Sequence, residues 1–138
     1  MAVGLQLGSI TDEIGASDFF HSFFSTISGN LETNGWGSRF PTLIKKLYGG
    51  ELQQRDAVAA LNELDQIKRE LSQLPPSHVI WDIEDRQKNP PWGANISTEI
   101  TGLSNYFVTS TGRDLIGLIE EDLSELRDRG GVLKVVNF

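Results

Sequence analysis

The stretch VIWDIEDRQKNPPWG, residues 79–93, places Asp82, Glu84 and Asp85 between Trp81 and Trp92. Carboxylates this close can hold a divalent ion, or raise one another's pKa for acid–base work. Val79, Trp81 and Ile83 alternate with Ile80, Asp82 and Glu84. That alternation predicts a strand with Asp82 and Glu84 on one face. A metal nuclease of the restriction-enzyme type would want a lysine two residues after its acid on the same strand. Here Arg86 follows Glu84 at that spacing, and Lys88 falls in a loop. The acids serve as well to cap turns, to meet Arg86 and Lys88 at a strand end, or to line a protein interface. A small carboxylate-based metal protein or enzyme using Asp82, Glu84 and Asp85 is therefore the alternative to a binding function.

Other chemistry is thinly supplied. The chain has no cysteine, which removes thiol nucleophiles, disulfides and thiolate metal sites. His21 and His78 are far apart, and His21 falls off the apolar face of its helix, towards solvent. Gly35-Trp36-Gly37 lacks the third glycine of a dinucleotide loop, and neither a nucleophile elbow nor a phosphate-binding glycine loop occurs. No catalytic residue and no cofactor is assigned. At 100° per residue, Asp114, Glu121, Glu125 and Asp128 share one flank of the last helix, a solvated face or a docking surface. Asp122 instead projects into the apolar arc between Leu115 and Leu118. Buried there, it needs a partner such as an Arg, a Tyr or a Trp N–H. Trp36 and Trp92 each stand beside glycine in a turn or loop, as aromatic anchors for a partner or as pins for the loop. Trp81 reads as core.

The elements that must position these residues are legible from periodicity. Val3, Leu5 and Leu7 predict a short strand over 2–7. Phe19, Phe20, Phe23, Phe24, Ile27 and Leu31 line one side of a helix that starts at Ser17 or Asp18, with Gly29-Asn30 as its stop. At that spacing the phenylalanines are core rather than a ligand pocket. A short helix through Leu43, Ile44, Leu47 and Tyr48 ends at Gly49-Gly50. The longest helix runs from about Asp56 to Leu74 and stops at Pro75-Pro76. Residues 79–84 form the clearest strand, 87–103 a loop, and NYFVTS (105–110) another short strand. A final helix within residues 111–131 and a final strand through VLKVV complete the chain. The expectation is one domain over residues 1–138, α+β or α/β, with about four strands covered by three to four helices.

The net charge of −7 comes from 12 Lys+Arg against 19 Asp+Glu, and no Lys or Arg precedes Arg39. This balance disfavours nucleic-acid and anionic-membrane binding, and it suits either solubility or steering towards a basic partner. No apolar run reaches the roughly 18–20 residues that span a bilayer, and the first residues lack the pattern of a secretory signal. The expected compartment is the cytoplasm. A homo-oligomer is possible on this sequence but nothing indicates one.

Read together, MAVG, FFHSFFSTIS, NGWGSRFP, VIWDIED, NPPWG, NIS and LSNYFVTSTGRDL occur in order. This series resembles the immunity protein 70 family of bacterial polymorphic-toxin systems over roughly residues 1–116. The chain departs from the family pattern at Asp12, where an aromatic residue is expected. The resemblance implies a non-enzymatic cytoplasmic antidote whose partner is a cognate toxin domain. It attaches no catalytic residue. On charge, a nuclease with a basic cleft would suit such an inhibitor. The residues with which the chain would meet that partner are Trp36, Asp82, Glu84, Asp85, Trp92, Glu121 and Glu125.

Overall fold

Alternation at Val3, Leu5 and Leu7 produces the first strand, β1 (Ala2–Leu7), in a computed structural model that describes residues 2–138. Gly8, at φ +62°, opens a two-residue turn with Ser9 into β2 (Ile10–Ala16). A glycine takes this left-handed geometry without strain, and such turns favour a tight hairpin. The short β3 (Glu51–Gln53) and the last strand, β4 (Val132–Asn137), complete the sheet in the order β2-β1-β4-β3. Every pairing is antiparallel, so the fold is α+β and the α/β option is set aside.

Three helices supply the other layer: α1 (Ser17–Leu31), α2 (Ala57–Leu71) and α3 (Leu115–Arg129). α1 and α3 pack on β1, and α2 lies against α3. Phe20, Phe23, Phe24 and Ile27 of α1 are fully buried with Leu5, Ile14, Phe107, Ile116, Leu123 and Leu133 in one contiguous core. The rings meet edge-on, as their quadrupoles prefer: Phe20 with Phe24 at 5.0 Å and Phe23 with Phe107 at 5.3 Å. The core assignment of the phenylalanines holds. Between α1 and α2, a single wide turn of π-helix spans Thr42–Leu47, its Tyr48 N–H donating to Leu43 O at 2.9 Å. Glu63 of α2 caps that turn, accepting from Thr42 N (3.1 Å) and Leu43 N (3.0 Å). α3 is capped by Asp114, whose Oδ2 accepts from Gly117 N at 3.0 Å, so Asp114 is a cap rather than part of an acidic flank.

The count of four strands agrees with the sequence, but two members differ. Residues 79–84 form no strand. They run across α1, whose polar side chains take the place of a neighbouring strand. Ser22 and Thr26 hydroxyls donate to Ile80 O (2.9 and 3.1 Å), and Ile80 N donates back to Thr26 Oγ1 at 3.0 Å. Ile83 N donates to Ser25 Oγ at 3.2 Å, and Asn30 Nδ2 donates to His78 O at 3.0 Å. Buried backbone groups need partners from any source, and a helix face can supply them. Ile80 reaches so far in that a Cβ on Gly29 would lie 2.2 Å from Ile80 Cδ1. Gly29 therefore belongs to a close helix–loop contact and does not end α1, which continues to Leu31. The other missing strand, at 105–110, is reduced to one bridge between Val108 and Asp114, with the buried Phe107 accepting from Leu115 N at 2.9 Å.

Candidate functional site

The acids of residues 82–85 do not share a strand face. Asp82 Oδ1 accepts from Glu84 N at 2.9 Å and Asp85 Oδ1 from Gln87 N at 3.2 Å, two turns of the kind aspartate side chains stabilise. Asp82 also lies 3.6 Å from Lys88 Nζ and 3.9 Å from His21 Nδ1. Its carboxyl is held below the usual range, first by the Glu84 N–H, which outweighs an opposing desolvation effect, and then by the charges of His21 and Lys88. Asp82 and Asp85 thus shape a corner. The Glu84 carboxylate makes no hydrogen bond or ion pair among the described residues.

His21 is the hinge of this corner and is only partly exposed, not turned fully to solvent as its helical position implies. Its ring stacks on Trp36 (centroids 6.0 Å apart, 29° between planes) and tilts against Tyr48 at 6.1 Å. Ser25 Oγ lies 3.3 Å from His21 Nδ1, the same nitrogen that faces Asp82. A hydrolytic relay needs the acid and the nucleophile on opposite ring nitrogens, so Ser25, His21 and Asp82 are not arranged as a triad. Burial, followed by the charges of Asp82 and Glu84, raises the Tyr48 hydroxyl above its ordinary pKa.

Trp36 is held by a residue that the sequence reading passed over. Glu32, buried at the end of α1, accepts backbone N–H groups from Gly37, Arg39 and Phe40, each at 2.9 Å. Burial alone would push its carboxyl up; the nearby Ser28 hydroxyl and these three N–H groups outweigh burial and pull it below the usual range. The 32–40 loop is therefore wrapped around an anion, with Trp36 at its outer turn and 37% exposed. An acid immediately before a glycine-rich turn is the signal that could have found it.

Trp92 belongs to a different place. Its Nε1 donates to Tyr106 Oη at 2.8 Å, and its ring meets Trp81 edge-on at 5.4 Å. It pins the Pro90-Pro91 loop while leaving 37% of its surface outside. Trp81 is core, as expected.

Glu121 and Glu125 line a third feature, a cleft of about 500 Å³ between the β1–β2 turn and α3. Gly8, Ser9, Ile10 and Asp12 form one wall; Glu121, Asp122, Glu125 and Arg129 form the other. Asp122 is only 7% exposed, and its Oδ2 receives no hydrogen bond. The expected Arg, Tyr or Trp donor is not there; its polar neighbour is another carboxylate, Asp12 of β2. Burial first, then contact with Asp12 and the charges of Asp12 and Glu121, push the Asp122 carboxyl up to about 8, with Arg113 opposing. Arg113 bridges Asp12 (3.6 Å) and Glu121 (2.6 Å), while Arg129 pairs with Glu125 at 2.8 Å. Asp128 is taken by Arg127 at 2.8 Å. Asp12 carried no local signal for this role, because only the hairpin brings it to α3.

The structure thus brings Trp36 and Asp82 together around His21, with Glu84 and Asp85 in the same turns, and it brings Glu121 and Glu125 together in the cleft. Trp92 joins neither group. Among the described residues, no three His, Asp or Glu side chains converge as a metal site would require, and no helix is long and apolar enough to cross a membrane.

Comparison with known proteins gives a family match. The family model described as Immunity protein 70 covers residues 5–135. No curated protein and no solved structure matches the chain.

Proposed function

We infer the function from the premise that this chain belongs to the immunity protein 70 family: it binds a toxin domain made by its own cell and blocks it as a stoichiometric, non-enzymatic inhibitor. The observation that carries this reading is the family match over residues 5–135, nearly the whole fold. The surface chemistry supports it. Trp36, His21 and Tyr48 present an aromatic patch edged by Asp82 and Glu84, the mixture of partly exposed rings and flanking charge that protein interfaces use. Site and partner agree in sign as well, since a chain of net charge −7 suits a basic toxin surface such as the substrate cleft of a nuclease. The cytoplasm of the producing cell is where such an antidote acts.

The test is co-expression with the toxin domain encoded beside this gene. The expected result is restored growth and a one-to-one complex in sedimentation. Growth arrest that persists with the chain abundantly present, and no complex, would defeat the reading. Trp36→Ala then asks whether the corner makes the contact: a dissociation constant raised at least tenfold supports it, and an unchanged one removes it.

A further inference from the structure

The cleft between the β1–β2 turn and α3 differs from the rest of the acidic surface. Elsewhere the carboxylates are either open to water or already capped: Glu32 and Glu63 by backbone N–H groups, Glu70 by Arg39, Asp114 by Gly117 N. Among the described carboxylates, Asp122 alone is more than nine-tenths buried, lines a cleft and has an oxygen that no N–H or hydroxyl donor reaches. The carboxylate beside it, Asp12, brings a second acceptor and no proton of its own when ionised.

Two carboxylates in contact are stable in only two ways. They share a proton, or a cation sits between them. The cations already present do not fill the second role. Arg113 reaches Asp12 and Glu121 and leaves Asp122 Oδ2 unmet, and Arg129 is engaged by Glu125. With Asp122 protonated, Asp12, Glu121 and Glu125 face Arg113 and Arg129, a negative excess of one charge that grows to two once Asp122 loses its proton. Its volume of about 500 Å³ admits a long side chain.

We propose that this cleft receives a single cationic side chain, arginine by fit, carried by the toxin that the immunity reading assigns to this chain; for the identity of the partner the proposal rests on that reading. Arginine fits because its planar fork of donors can serve two adjacent carboxylates at once, whereas an ammonium offers a point charge. The small turn residues Gly8 and Ser9 form part of the wall of the cleft, beside the exposed Ile10. Entry of the cation displaces the proton that Asp122 otherwise keeps up to a pH of about 8. The groups that set this balance are Asp12 from β2, Glu121, Glu125 and Arg129 from α3, and Arg113 from the loop before α3. Binding therefore releases a proton and tightens as pH rises towards 8, by up to about tenfold per unit.

The direct test uses N-acetyl-arginine methylamide as probe against the 138-residue chain at pH 8, followed at the side-chain carboxyl carbons of Asp12 and Asp122 by NMR. The expected result is a saturable shift with a midpoint of about 10 mM, absent with the uncharged citrulline analogue and at least tenfold weaker in Asp12→Asn. Asp12 lies on a partly exposed edge strand, so this variant keeps the fold; Asp122→Asn, checked for folding by its amide spectrum, is the second. No saturable shift, or the same shift in both variants, overturns the site. With the neighbouring toxin domain, Asp12→Asn should raise the dissociation constant at least tenfold and flatten its dependence between pH 6.5 and 8.5. An unchanged constant removes the toxin from the cleft and leaves the immunity reading standing. Failure of the unaltered chain to bind that toxin defeats the immunity reading and with it the partner named for the cleft.

Discussion

Two buried carboxylates, one just past the end of α1 and one on α3, show how the same side-chain chemistry is used in opposite ways. Glu32 is surrounded by donors and sits below its ordinary pKa; Asp122 has none and is pushed up to about 8. The sign for Asp122 follows. Between about pH 4 and pH 8 the folded state holds a proton that the unfolded state has lost, so stability from this group is lost as pH rises towards 8. Asp122→Asn supplies donors in place of that proton. It should raise stability by about 1–3 kcal/mol near pH 8.5 and flatten the slope, as read by urea unfolding across a pH series. For Glu32 the sign reverses: its contribution is present at neutral pH and is lost as pH falls through its depressed folded value. Glu32→Ala leaves three inward-facing N–H groups without an acceptor. It should cost about 2–4 kcal/mol, and the Trp36 emission should shift to the red as the loop opens. Neither role was legible from residue type alone. Asp122 was visible as an acid in an apolar arc, yet its partner came from β2, a segment whose ITDEIGA pattern has too few apolar positions to read as a strand.

At the scale of elements, the sequence is clearest where the apolar period is long. α1, α2, α3, β1 and β4 all lie where periodicity puts them, within two to three residues at most ends except at the start of α3. It fails where one element borrows another's hydrogen bonds. Residues 79–83 alternate like a strand because one side packs inward at Trp81, but their backbone partners are Ser22, Ser25 and Thr26 on a helix, and Asn30 of the same helix holds His78 O just before them. Those polar residues, fully buried in the case of Ser22, Ser25 and Thr26, are the trace of that docking in the sequence. Only the three-dimensional pairing explains them. β3 is three residues long and carries no period at all. Two substitutions probe the junction. Gly29→Ala places a methyl 2.2 Å from Ile80 Cδ1, so overpacking should cost about 1–3 kcal/mol. Removing both hydroxyls with Ser22→Ala and Thr26→Val leaves Ile80 O and N unmet; hydrogen exchange at the Ile80 amide should quicken while the amides of α2 stay protected. Equal loss of protection in α2 would mean that the segment is not a separable unit.

For the molecule as a whole, the acid excess is unevenly placed. The chain reaches Arg39 without a Lys or Arg, and the acids of the corner and of the cleft lie on different parts of the sequence with no hydrogen bond, ion pair or shared cavity between them among the described residues. Both groups add to one long-range field, whereas only the acids buried at the contact hold the complex together. These contributions separate in kinetics. Charges that steer but do not touch change the association rate and its salt dependence; charges buried at the contact change the dissociation rate. If the proposed toxin complex forms through the cleft, Glu84→Lys in the outer corner should slow association severalfold at low salt, an effect that fades above roughly 0.3 M as the Debye length shrinks. Asp12→Asn should instead speed dissociation at every salt concentration. Surface plasmon resonance over a salt series distinguishes the two. A Glu84→Lys variant that dissociates tenfold faster with an unaltered association rate would move the contact to the aromatic corner around Trp36 and leave the cleft as a bystander in toxin binding.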